Sequence, residues 1–206
     1  MRFLKRFAKG SIYSTAAILR GYMGDKPYIL LLSVIVGVLA GIAAVLLKNV
    51  TGFFHNISDS ICEETGFWIL PFLPAAGIFL CVILVKFLIK KKPYEKSLSG
   101  VIIQTSKGTS DIQGHHCWAH IVTSGISVGL GGSAGLEAPI ALTGSAIGSN
   151  FSKLVRTGTE TRTLLLACGG GAGISAIFNS PVAGALFACE ILLPSFSVPA
   201  LVPLLM

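Results

Sequence analysis

From Pro27 to about Val50 the chain is apolar, and its first charged side chain is Lys48. A run of that length predicts one crossing of a bilayer, whose hydrocarbon core needs about 20 apolar residues. The stretch that follows carries Asp59, Glu63 and Glu64 and neither Lys nor Arg. It reads as a loop on the outer side, because Lys and Arg collect on the cytoplasmic side of a membrane. Trp68 opens a second apolar run, Phe67 to about Ile89, which Lys90, Lys91, Lys92 and Pro93 close on the inner side. Two spans with in–out–in polarity follow.

Both sides of this pair differ from it in pattern. Residues 2–22 mix Phe3, Leu4, Phe7 and Ile12 with Arg2, Lys5, Arg6 and Lys9. There is no cleavage-site pattern and Gly10 follows Lys9, so this is an amphipathic helix lying on the cytoplasmic face rather than a signal peptide. Residues 1–26 form that segment and residues 27–206 a membrane domain. Beyond Pro93 the apolar segments shorten. Residues 97–107 predict a half-helix, Gly108–Gly114 is polar, and residues 117–130 and 139–155 predict two more short helices. Thr159 or Thr161 is placed to cap the next helix, which runs through Leu164, Leu165 and Leu166 to the cluster Gly169–Gly173. A last segment starts at Pro181 and stops at Pro194. Short apolar segments broken by Gly and Pro mark discontinuous membrane helices around a midplane site. The glycine cluster reads as a close helix–helix contact.

Composition agrees with the pattern. The 206 residues are 52% hydrophobic and 12% charged, with mean hydropathy +0.77, against about 25% charged in soluble domains. The fold class is therefore all-α integral membrane. The net charge of +7 flanks apolar segments instead of forming one basic face, which argues against a nucleic-acid partner and for contact with membrane lipid. Five cysteines make no set of bridges; Cys81, Cys168 and Cys189 sit in apolar runs as small hydrophobes. His116 and His120, four apart beside His115 and Cys117, share one helix face in the way zinc ligands can. They lack a third ligand and an acidic partner, so they read as a polar approach to the next helix. No metal, cofactor or enzymatic activity is expected.

The stretch with distinctive chemistry is Gly129-Leu-Gly-Gly-Ser-Ala-Gly135-Leu136-Glu137-Ala138-Pro139-Ile140. Four glycines lead to one carboxylate, then a proline suited to the first turn of a helix. A loop of this kind delivers Glu137 to a helix amino end, where unpaired N–H groups and the macrodipole favour an anion. A carboxylate at membrane depth is costly without a use. The competing role is a structural cap.

Two motifs here resemble the CLC family of chloride channels and chloride/proton antiporters. Gly135-Leu136-Glu137-Ala138-Pro139 is similar to its G-[K/R]-E-G-P signature. Gly173 to Glu190, with Phe178, Asn179, Pro181, Gly184 and Phe187, is similar to its G-x-x-x-x-F-N-x-P-x-x-G-x-x-F-x-x-E stretch. The resemblance implies the first of the family's two inverted repeats, incomplete, with tilted and broken helices. It implies chloride as the transported anion, Glu137 as the gate, and Gly135, Leu136, Ala138 and Pro139 around the anion. Phe178, Asn179, Pro181 and Glu190 would form the pore-helix motif, Glu190 as a partnered structural carboxylate. The family's serine motif is not intact; by register Lys96 or Ser97 stands nearest the inner anion position. Leu136 replaces a basic residue, and Ala138 replaces a glycine at a place where a positive φ would be awkward. Ile191 stands where antiporters carry a proton-transferring glutamate, which favours passive conduction over coupled exchange. The resemblance further implies a homodimer when the whole protein is present, a bacterial inner-membrane location, and a need for the second repeat, as if the chain were the amino-terminal part of a longer transporter or a split or truncated product. The alternative of another class is a regulatory, non-conducting half-transporter that packs against a partner subunit.

Overall fold

The computed structural model describes residues 21–22, 24–69, 71–89, 98–193 and 198–205. The expected amphipathic segment at residues 2–22 lies almost wholly outside the described residues, and Lys90–Lys92, Lys96 and Ser97 lie entirely outside them. The described residues form helices α1 (Asp25–Thr65), α2 (Phe72–Leu84), α3 (Leu98–Ser106), α4 (His116–Gly129), α5 (Glu137–Val155), α6 (Thr159–Phe178), α7 (Pro181–Phe187) and α8 (Val198–Leu205). A 3₁₀ turn, Phe67–Ile69, precedes α2. π-helical turns extend α2 over Val85–Ile89 and α7 over Ala188–Leu192.

The first expected loop is a correction. α1 does not stop near Val50 but continues as one helix of 41 residues to Thr65, so Asp59 and Glu63 sit on helix rather than in a loop. Polarity alone does not end a helix, and residues 53–65 contain neither Gly nor Pro. Neighbours four apart support the polar end: Ser60 Oγ donates to the Asn56 carbonyl at 2.9 Å, and His55 stands 3.7 Å from Asp59. The helix ends only at Gly66, whose φ of 85° is open to glycine.

The short segments form as the pattern predicts, with one change at a cap. Gly158, rather than Thr159 or Thr161, is the cap of α6. Thr159 is already helical, and its carbonyl accepts from Thr163 Oγ1 at 3.1 Å. Pro181 does open α7: Ser180 caps it, its Oγ accepting from Ala183 N at 3.4 Å.

Glycines set how closely the helices pack. Gly144 on α5 and Gly169 on α6 face each other so tightly that a Cβ on either would run into the other's carbonyl, and Gly148 meets the Leu165 carbonyl in the same way. α6 in turn lies against α7 through Gly171 and the Gly184 carbonyl. Packing is thus the observed role of the Gly169–Gly173 cluster. Around this centre Val101, Ile112, Leu142, Ala146, Leu166, Ala167, Ala188 and Leu192 are buried together. The connection between α3 and α4 is tied to α5. Ser149 Oγ donates to the Ser110 carbonyl at 2.7 Å and accepts from Ile112 N at 3.1 Å. Asn150 Nδ2 and Lys153 Nζ both donate to the Ile112 carbonyl, at 3.2 and 2.6 Å, and Lys153 also pairs with Asp111.

Candidate functional site at the amino end of α5

The turn from α4 into α5 is set by hydrogen bonds to the end of α4. Leu130 N donates to the Ile126 carbonyl at 3.0 Å, Gly131 N to Val128 at 3.0 Å and Gly132 N to Ser127 at 2.9 Å. Gly131 has φ 89°, a left-handed conformation that glycine adopts at no steric cost. At Gly132 a Cβ would collide with the Ser127 carbonyl. Ala134 N then donates to the Gly132 carbonyl at 2.9 Å, and the chain enters α5 at Glu137.

The helix bonding of α5 begins with Ile140 N donating to the Leu136 carbonyl at 3.1 Å. The N–H groups of Glu137 and Ala138 precede that bond and have no carbonyl one turn earlier to take them. Pro139 stands within the first turn and has no N–H to satisfy. Ala138 is helical and is not among the positive-φ residues, so alanine fits here without strain. Glu137 and Ala138 are exposed, as is Gly135. The Glu137 side chain turns back over Gly135. A Cβ built on Gly135 would lie 2.7 Å from its Cδ and 3.0 Å from Oε1, and closer still to Oε2.

The neighbouring residues gather on one apolar cluster. Leu136 packs on Ala43, Ala44, Leu47, Ile121, Ile140, Ala141 and Ile174, and the same cluster receives Leu98, Ile177 and Phe187. The structure therefore brings the start of α3, the start of α5 and the end of α6 to one cluster. That accounts for Leu136 at a position where the related motif carries a base: the side chain is half-buried among hydrophobes. Lys96 and Ser97, just before α3, lie outside the described residues.

The second motif is a joint between two helices. Phe178 ends α6, Asn179 turns the chain in a left-handed conformation at φ 52°, and Ser180 and Pro181 start α7. Ser180 N donates back to the Ser175 carbonyl at 3.1 Å, which satisfies one of the last carbonyls of α6. Phe178 is 53% exposed. Glu190 lies in the π-helical turn and is exposed, and among the described residues its carboxylate has no hydrogen bond or ion pair to a side chain, so the partner expected for it is not seen there.

One residue was missed by sequence reasoning. Lys48 Nζ donates to the Ala176 carbonyl at 3.2 Å, in the last turn of α6. A cation suits a helix carboxyl end, and its signal was visible as the lone charge in the run Pro27–Val50. His116 and His120 do share a face, with His116 Nδ1 and His120 Nε2 3.1 Å apart and the His115 ring 4.2 Å from that of His116. Among the described residues no three His, Cys, Asp or Glu side chains are placed to hold a metal.

Comparison with known proteins places the chain in one family. A family model described as voltage gated chloride channel matches residues 77–206. The H(+)/Cl(-) exchange transporter ClcA of Vibrio cholerae is 32% identical over 179 residues, which cover 82% of this chain and 37% of that protein. Chloride channel protein CLC-e of Arabidopsis thaliana is 30% identical over 181 residues, covering 79% of this chain and 24% of that protein. A crystal structure of a slow cyanobacterial Cl-/H+ antiporter shares the fold, with TM-score 0.61 and 24% identity over 86% of this chain and 42% of that chain. The chain spans well under half the length of these proteins.

Proposed function

The chain belongs to the voltage-gated chloride channel family, and on that premise we propose that it carries one side of a chloride path across a membrane, with Glu137 as its gate. The observation that carries this reading is the Glu137 carboxylate itself, exposed and folded back over Gly135, just ahead of α5. The unpaired N–H groups of that end attract an anion. A tethered carboxylate there competes with a free chloride, and it gives way when it is neutralised by a proton or displaced.

The backbone of Gly135, Leu136, Ala138 and Pro139 frames the anion, and the family resemblance assigns the inner anion position to Lys96 or Ser97. Protein beyond these 206 residues completes the path: the Glu137 face and the Phe178–Asn179 joint are both open to solvent in this chain. Conduction is passive, because Ile191 follows Glu190 and an isoleucine side chain cannot relay a proton. The rival reading is coupled exchange, favoured by the similarity to ClcA, an H(+)/Cl(-) exchange transporter. The membrane is a bacterial inner membrane, and the complete protein pairs as a homodimer.

Chloride efflux from liposomes holding the protein, beside Glu137→Gln and with a pH electrode in the same vessel, tests both readings. The expected result is efflux whose acid response disappears in the variant, with no proton movement. Proton movement coupled to chloride would replace passive conduction by exchange. Identical efflux in the two proteins would remove Glu137 from the gate.

A further inference from the structure

We propose that Gly135 is a positioning residue: its missing side chain is the seat that holds the Glu137 carboxylate just ahead of α5. The inference rests on the gate reading and adds the element that holds the gate shut. Carboxylate and glycine are two residues apart, and the three atoms nearest to a Cβ on Gly135 are Glu137 Oε2, Cδ and Oε1, the last two at 2.7 and 3.0 Å. No methyl group fits there while the carboxylate stays.

Other tight glycines behave differently, and the contrast identifies the role. At Gly132, Gly144, Gly148 and Gly169 the nearest obstacle is a backbone carbonyl. At Gly125, Gly129 and Gly170 it is a side chain packed between helices (Val50, Phe54 or Leu192), and at Gly184 it is the Ser175 hydroxyl with the Gly171 carbonyl close behind. A methyl at any of these would deform the fold. At Gly135 the obstacle is the far end of an exposed, flexible side chain, which can leave by changing rotamer. The backbone raises no objection, since Gly135 is not among the positive-φ glycines. Gly135→Ala therefore acts first on the carboxylate, whose atoms are the three nearest to the added methyl. The seat lies ahead of the first turn of α5, toward which its N–H groups point, so a seated carboxylate occupies the place an anion would take. Expelling it opens that place.

The test is a double-mutant cycle on chloride efflux, using the protein as its gene expresses it, reconstituted in liposomes. Gly135→Ala is expected to raise efflux at neutral pH by about fivefold, at the lower end of couplings between two states, and to flatten the acid response. In a Glu137→Ala background the same substitution is expected to change nothing, because there is no carboxylate to seat. An equal effect of Gly135→Ala in both backgrounds would overturn the seat and leave the gate standing. No effect in the native background, or a protein that no longer elutes as a single species, would also overturn it, since the methyl is argued to displace only a side-chain end. If Glu137→Ala alone leaves efflux unchanged, the gate fails and the seat falls with it.

Discussion

Ala138 takes the place of a glycine in the related motif because α5 is already helical there, and a helical φ suits alanine better than glycine. Leu136 takes the place of a base because its side chain enters the apolar cluster that joins α1, α4, α5 and α6. Both exchanges keep the backbone N–H groups at the start of α5, so they are compatible with the gate proposed for Glu137. Lys48 belongs to the same neighbourhood through the Ala176 carbonyl. Lys48→Met is expected to lower stability by about 1 kcal/mol, the ordinary net worth of one hydrogen bond, since solvent at this exposed site weakens the contribution of the charge. Thermal unfolding of the purified protein in detergent checks it, and no change would mean the bond is not kept in solution.

At the scale of elements, two contacts make distinct demands. α5 and α6 touch backbone to backbone at Gly144, Gly148 and Gly169. Gly144→Val should cost at least about 1–3 kcal/mol by overpacking, seen as a lower unfolding midpoint or loss of monodisperse protein. The α3–α4 connection depends on Lys153, which serves Asp111 and the Ile112 carbonyl together. Lys153→Met is expected to speed proteolytic cleavage between Lys107 and Gly114, while the helices resist; uncleaved protein would show that Ser149 and Asn150 hold the segment alone.

These elements also mark what could be read in advance. Pro139, Pro181 and the glycine loop announce helix starts because proline and glycine act locally, and those starts are where they were expected. The end of α1 was not legible, since Asp59 and Glu63 look the same on a projecting helix as in a loop. The cap of α6 was misread because Thr159 suits both the cap and the first helical position. Gly135 was legible as part of a loop, but its fit to the Glu137 carboxylate is a property of three-dimensional placement, and no spacing in the sequence encodes it.

For the whole molecule, α1 sets the frame. At 1.5 Å per residue its 41 residues measure about 60 Å, roughly twice the hydrocarbon thickness of a bilayer. It must tilt strongly, project beyond the membrane, or do both, and its polar end carries Asp59, Cys62 and Glu63. If that end is outside, a membrane-impermeant maleimide added to right-side-out vesicles should label Cys62 and spare Cys168, which is buried between α6 and α8. Labelling of Cys62 only after the vesicles are opened would invert the topology.

The backbone contact of α5 with α6 has a consequence in time. Helices separated by long side chains can slide or rotate, because those side chains re-pack as they move. α5 has no such cushion at Gly144 and Gly148, and any rotation drives one carbonyl into the backbone of the other helix. Motion that frees the anion position is thereby left to one exposed side chain hinged at its own Cα. Exposed rotamers exchange in picoseconds to nanoseconds, whereas collective helix movements take microseconds to milliseconds. In the gate proposed above, the frame around the anion stays still while the carboxylate moves, so a passing ion would meet a binding site that is already formed.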